Sequence, residues 1–460
     1  MSYLCGLLGF VLTCCFETIV NEGRMLELLG ILILALLIGL SIGLHEIGHM
    51  VPAKKFGVKV TEYAIGFGPT VFSRTRGETD YRIRLLPVGG FIRMIGMFAP
   101  SRADGRVVGG RFAQAIADAR TTSAEEIGPN DDARAFYRLS VPKKLVVMTG
   151  GPLMNLVIAS VLFGVIFTVI GFPTTTSTTG YVVQCVPTES DPSGEGTIAG
   201  CVDSSITPAV TAGFKPGDKL LSIDGLQISK WEDFQTGLDG KVPGDQVAIT
   251  VNTAAGETQT RTVELAKITY PEYDVDGNLT GKTITRGFVG LGPAYEYVSQ
   301  PISDVPPAMW ALTTRSISAI LSFPQKIYTL VAGMVSGQDR DPNGPVSVVG
   351  VSRLSGEIAA SDQPFKEKAS MILGMAASLN LFLFLFNLLP LLPLDGGHAA
   401  GAIFEGLRRT LARLRRKADP GPIDLARMLP ITYVMTAVLL ITGVVVIFAD
   451  LVDPISLLDL

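Results

Sequence analysis

Histidine is scarce in this chain, three in 460 residues, and two of the three bracket a glutamate in the run His45-Glu46-Ile47-Gly48-His49. On a helix the two imidazoles fall at i and i+4, one turn apart on one face, where both can grip a single zinc ion. Glu46 projects beside them as a general base for a water that the ion makes acidic. A catalytic zinc takes a third protein ligand and leaves one position open. No H-E-x-x-H-x-x-G-x-x-H continuation follows, so that ligand comes from elsewhere in the chain. Asp395, in the segment 387–398 (NLLPLLPLDGGH), is the candidate by ligand type, and His398 is its rival.

The elements that must hold these residues are apolar. Only 17% of the chain is Asp, Glu, Lys or Arg, 47% is hydrophobic and the mean hydropathy is +0.39, whereas a soluble protein carries roughly 25% charge. This composition argues against a soluble cytosolic enzyme, and glycine shows no three-residue period that would suggest collagen. Apolar content is too high for disorder, and a net charge of −4 gives no electrostatic case for nucleic acid. Four runs, 28–50, 145–172, 371–394 and 431–451, have the roughly 20 apolar residues that a spanning helix needs. The first ends in His45, Glu46 and His49, and the third ends just before Asp395. Ionisable groups at membrane depth are costly and mark function. Pro390 and Pro393 break the third run where freed backbone groups can line a polar cavity.

Charge sorts the loops. Residues 51–144 hold sixteen Lys or Arg against nine Asp or Glu, and 395–430 hold seven against four, whereas 173–308 hold eight against seventeen. The positive-inside rule puts the first two in the cytoplasm and the third outside, with both termini external. His45 and Asp395 then arrive at the same depth, near the cytoplasmic side. The expected fold is a polytopic α-helical membrane protein with four transmembrane helices, together with what the resemblances of the segments 63–94 and 208–225 given below imply, membrane-associated β-hairpins and one extracytoplasmic PDZ-like α+β domain. Its divisions are an N-terminal extension (1–24), a first span (25–52), a cytoplasmic β region with a flexible insertion at 100–135 (53–143) and a second span (144–172). There follow the PDZ domain (173–300), a membrane-proximal amphipathic segment (301–365), a third span (366–394), a cytoplasmic loop (395–430), a fourth span (431–452) and a tail (453–460). The apolar run 3–16 is too short to span and a poor secretory signal, and Met25 would open a cleaner first helix.

The H-E-x-x-H in the first span, Gly151-Pro152-Leu153-Met154-Asn155 in the second and the N-x-x-P…L-D-G-G run ending the third together resemble the site-2 protease family of intramembrane zinc metalloproteases. The resemblance covers nearly all of the chain from Met25, and is nearest to the actinobacterial regulators of intramembrane proteolysis, which share one external PDZ-like domain and the D-P-x-x-P-[IV]-S-V-V-G segment at 341–350. It implies a bacterial plasma-membrane peptidase in which His45, His49 and Asp395 bind one catalytic Zn2+ and Glu46 is the base. Its substrates would be single-pass membrane proteins already shortened by another protease, such as anti-sigma factors, or remnant signal peptides. Asn387 matches the motif asparagine, a substrate-binding position. Asn380 lies seven residues before it where many relatives have a polar residue five before, so no role is assigned to Asn380.

A substrate helix must be unwound before water reaches its backbone, and an exposed strand edge can hold the unwound segment by main-chain pairing. The glycine-punctuated runs 63–72 and 81–94 suit a hairpin or small sheet. In the family the matching segment dips into the membrane beside the zinc, which assigns the edge to 86–94, with Leu86, Gly89 and Gly90 as contacts. An ordinary cytoplasmic hairpin is the plainer alternative. Residues 208–225 resemble the PDZ signature of periplasmic proteases: a helix stopped at Gly213, a Pro-Gly-Asp turn, a strand and a turn at Asp224-Gly225. Such a domain binds peptides by strand addition or acts as a filter against bulky substrates. Cys185 and Cys201, alone in this external loop, are expected to form a disulfide adding roughly 3 kcal/mol. Cys5, Cys14 and Cys15 are assigned nothing. A competing reading is a non-catalytic PDZ-bearing receptor or scaffold with a structural zinc, for which His398 would be the fourth ligand.

Overall fold

The computed structural model describes residues 22–99, 112–187, 205–273, 279–337, 340–341 and 344–456. Most of the N-terminal extension, with Cys5, Cys14 and Cys15, lies outside these residues, as does Cys201. The chain forms two compact units, Met1–Val169 with Pro301–Leu460, and Ile170–Gln300.

The first unit opens with helix α1 (Glu22–Lys55) and the long antiparallel strands β1 (Val60–Arg76) and β2 (Thr79–Met94). Next come α2 (Ala113–Glu125) and α3 (Val141–Val165), the latter continued by a wider turn at Ile166–Ile170. Among the described residues, four helices of the unit are long and apolar enough to cross a bilayer: α1, α3, and the two defined below as α8 and α10. α1 and α3 cross backbone to backbone, because a Cβ on Gly48 would sit 2.3 Å from the Gly150 carbonyl oxygen and one on Gly150 would sit 2.1 Å from that of Gly48. Small residues permit this approach where lipid supplies no hydrophobic drive between helices.

β1 is paired on both flanks. Its residues Glu62 to Ile65 pair with Asp80 to Ile83 on one side and with Gly90 to Arg93 on the other, while Thr70 to Arg76 return along Thr79 to Arg84. The hairpin is thereby folded into a small sheet whose outer strands are 70–76 and 90–94. The region beyond it departs from the expected flexible insertion. Residues 100–111 lie outside the described set, but 113–125 form α2, and Ile116, Ser123, Ala135, Phe136 and Tyr137 are buried. Alanine-rich sequence with few apolar residues still folds when those few land on one packed face.

The second unit contains β3 (Phe172–Val182), the single-turn α4 (Pro208–Thr211), β4 (Lys219–Ile223), β5 (Leu226–Gln227), α5 (Trp231–Leu238), β6 (Gln246–Asn252), β7 (Thr258–Glu264), β8 (Ala266–Tyr273), β9 (Leu279–Phe288) and β10 (Leu291–Val298). The main sheet runs β10-β3-β4-β6-β7 with β5 on β4, and β8 and β9 form a separate ribbon. Alternating residues Leu220, Ile223, Val247, Ile249 and Val251 are fully buried against Phe214, Trp231 and Phe234, each contributing about 1.5–3 kcal/mol of burial. Asp224 and Gly225 take positive φ (47° and 84°) in the tight β4–β5 turn, a conformation that favours Gly, Asn and Asp. Cys185 is disulfide-bonded.

Among the described residues, five α-helices complete the first unit: α6 (Val305–Ser336), α7 (Val348–Ala360), α8 (Phe365–Asn387), α9 (Asp395–Leu414) and α10 (Leu429–Val452). α6 is nearly as long as α1, but Arg315, Lys326 and its hydroxyl residues leave it outside the bilayer-spanning set. In the segment 341–350, Ser347 caps α7 and its amide donates to Asp450, which also pairs with Arg340 at 2.6 Å. Two expectations at the third span change. The helix stops at Asn387 rather than running to 394, and the expected cytoplasmic loop 395–430 contains the 20-residue α9. Pro390 and Pro393 account for the stop, since each removes an amide and disfavours helix in the residue before it. Gly396 and Gly397 let the intervening turn fold back on α9, where Cβ atoms would meet the Leu389 oxygen at 2.2 Å and the Leu392 nitrogen at 2.6 Å.

Candidate metal centre

α1 presents His45 and His49 on one face, and the break between α8 and α9 delivers Asp395 as the first residue of α9. Nε2 of His45 and Nε2 of His49 are 3.2 Å apart, and each lies 3.3 Å from Oδ2 of Asp395. Three corners of a tetrahedron around zinc, with bonds of 2.0–2.1 Å, are separated by about 3.3 Å. The donor set therefore fits one ion with a fourth corner left to solvent or substrate. His49 Nδ1 donates to the Val147 carbonyl at 2.7 Å, which fixes the tautomer and turns the Nε2 lone pair inward. The His45 Nδ1 is buried without a partner among the described residues.

Asp395 lies outside the spans. Burial opposes its ionisation, but His45 and His49 outweigh that and hold the carboxyl below its ordinary range. His398 is on the next turn of α9 and outside the three-residue group. Burial pushes its imidazole below the usual value, so it stays neutral.

Glu46 is buried beside the pair, and the backbone amide of Ile92 hydrogen-bonds to it. Gly90 brings the outer strand against α1 here: a Cβ would meet Glu46 Cγ at 3.1 Å and Ile42 Cγ2 at 2.8 Å. Gly89 has φ +88° and packs on Phe67, whereas Leu86 is exposed and pairs with Phe67. Tyr63 on β1 donates to the Gly43 carbonyl at 2.9 Å. Burial, then the Glu46 charge, pushes its phenol up to about 12. Asn387 is the half-buried last residue of α8.

Several contributors gain their roles only through long-range packing. A Cβ at Gly151 would lie 2.1 Å from His49 Nε2, so the glycine of the G-P-x-x-N run is the wall against which the imidazole rests. Gly151→Ala is expected to weaken zinc binding about 10- to 100-fold, the usual cost of disturbing a ligand's support. Competition with a chromogenic chelator measures this, and Gly164→Ala, whose added methyl meets nothing within 4 Å, should leave affinity unchanged. Asn380, buried in α8, donates to Ser41 Oγ at 2.9 Å and to the Ala376 carbonyl. It ties α8 to α1 one turn before His45.

Farther along α9, Glu405 accepts both-oxygen contacts from Lys144 of α3 at 3.0 and 2.8 Å, a contact from Arg409 and the Ile423 amide. Both members of the Lys144–Glu405 pair are buried. This pair fixes the helix that carries Asp395 to the helix that braces His49.

The comparisons with known proteins agree with this geometry. The description "Peptidase family M50" matches residues 33–419. The zinc metalloprotease Rip1 of Mycobacterium tuberculosis (strain ATCC 25618 / H37Rv) is 32% identical over 445 residues, covering 94% of this chain and 100% of that protein. Rip1 of Mycolicibacterium smegmatis is 32% identical over 453 residues, covering 93% and 98%. The zinc metalloprotease RasP of Oceanobacillus iheyensis is 28% identical over 428 residues, covering 81% and 89%. A histidine pair on an apolar spanning helix and an aspartate just past another, spaced for zinc, accord with what these relatives are named for, and the chain belongs to peptidase family M50, the site-2 zinc metalloproteases.

Proposed function

We propose that this protein cleaves transmembrane segments of single-pass membrane proteins, such as anti-sigma factors trimmed by an earlier protease, and thereby carries signals across the bacterial membrane. The observation that carries the reading is the zinc-spaced trio His45, His49 and Asp395 at one end of a spanning helix, with Glu46 beside it. His45, His49 and Asp395 hold the ion. Bound there, zinc supplies Lewis acidity and lowers the pKa of water to near 7. Glu46 takes the proton of the attacking water and returns it to the departing amide nitrogen, as a general base and then acid.

Substrate enters as an added strand on the edge 90–94, which Gly90 seats against α1 beside Glu46. Leu86 and Gly89 shape that edge, and Asn387 offers its amide to the unwound segment. The excess of Lys and Arg in 51–144 and 395–430 supports a centre toward the cytoplasm, with residues 173–300 outside as a PDZ-like domain. A groove of 840 Å³ between α5 and residues 284–291, lined by Trp231, Phe234 and Leu238, suits a captured peptide.

Protein purified in mild detergent is expected to contain about one zinc per chain and to cleave a trimmed single-pass substrate, with chelation abolishing cleavage and zinc restoring it. Asp395→Ala should lose the metal, while His398→Ala retains it. Loss of zinc in His398→Ala would instead indicate a closed four-ligand site and remove the open position that catalysis requires.

A further inference from the structure

The outward face of α9 has no role in the reading above. Ile403, Phe404, Leu407, Leu411 and Leu414 are 41–75% exposed, and at 100° per residue they fall in one stripe. The opposite face is fully engaged. Ala402 and Glu405 are buried, Gly401 packs on Leu425, and Gly406 lies against Val141. With Glu405 held by Lys144, α9 cannot roll to hide the stripe. Arg413, Arg415, Arg416 and Lys417 are exposed around its C-terminal end.

We propose that α9 is an interfacial anchor that lays this stripe in the acyl region and binds anionic lipid headgroups through Arg413, Arg415, Arg416 and Lys417. An apolar stripe rimmed by basic residues has the composition of a helix lying in the membrane interface. Continuity supports lipid as the occupant: a short turn joins α9 to the end of spanning helix α8, and residues 415–428 join it to the start of α10. The first residue of the anchor is Asp395, so the lipid surface would set the depth of the third metal-binding side chain.

The inference rests on the membrane reading but not on catalysis, and its test needs no cleavage. Full-length protein carrying Trp310→Phe and Leu411→Trp is reconstituted in mixed phosphatidylcholine and phosphatidylglycerol vesicles, with one lipid brominated at a time. The Trp310→Phe parent supplies the background from Trp231. Fluorescence of the introduced tryptophan should be quenched about twofold more by brominated phosphatidylglycerol than by the same fraction of brominated phosphatidylcholine. Replacing Arg413, Arg415, Arg416 and Lys417 by glutamine should equalise the two. Equal quenching in the unsubstituted protein would overturn headgroup binding, and no quenching by either lipid would overturn the anchor, pointing to solvent or a protein contact. Failure of the parent to float with vesicles would overturn the membrane reading and this inference with it.

Discussion

Glu46→Gln should lower cleavage by about 10²- to 10⁴-fold, the range that a positioned general base supplies, while the protein keeps about one zinc per chain. Glutamine has nearly the volume of glutamate and retains an oxygen to accept the Ile92 amide, so the strand at Gly90 keeps its seat on α1. His45, His49 and Asp395 keep their mutual spacing because their short contacts run to one another and to the Val147 carbonyl, not to Glu46. What is lost is the ability to take a proton. Cleavage of a trimmed substrate and metal content, measured on one preparation, check both halves. Cleavage at the unsubstituted rate would eliminate Glu46 as the base, and loss of zinc would make it a structural residue of the site.

Breaking the Lys144–Glu405 pair should have the largest effect on stability. Glu405→Gln leaves the Lys144 ammonium buried opposite a neutral amide, and removing one partner of a buried pair costs about 3–5 kcal/mol. Lys144→Met combined with Glu405→Leu removes both charges and should recover most of that loss, because a matched apolar pair incurs no desolvation penalty. Unfolding in detergent, followed by tryptophan fluorescence as a rate where it is irreversible, distinguishes the three proteins. A double variant no more stable than Glu405→Gln would mean that Glu405 acts chiefly through Arg409 and the Ile423 amide rather than through Lys144.

The parts of this site that sequence makes legible are those encoded within a turn or two. His45 and His49 declare themselves by helical spacing, the spans by their apolar length, and the β4–β5 turn by Asp224-Gly225. Asp395 was accessible through ligand chemistry and depth, although hydropathy alone extended the third helix through Pro390 and Pro393 to meet it. Long-range packing was hidden. Gly151 stands in a legible motif, but its seat for His49 emerges only where α1 and α3 cross, and Lys144 and Glu405 are separated by 261 residues. Asn380 is out of register with the motif, yet it donates to Ser41 inside the helix bundle. The expected flexibility of 100–135 failed at α2 because low average hydropathy does not reveal where a few apolar residues face.

The three donors also impose an order in time. His45 and His49 leave the ribosome together, whereas Asp395 follows some 350 residues later. At 5–20 residues per second this is a wait of roughly 20 to 70 s. During that interval the nascent chain holds only two of its three donors, and Gly151, which seats His49, has itself arrived late. Activity thus begins only after the third span has been delivered to the bilayer. The long sequence separation that slows assembly also keeps an unfinished protease from acting on membrane proteins inserting beside it.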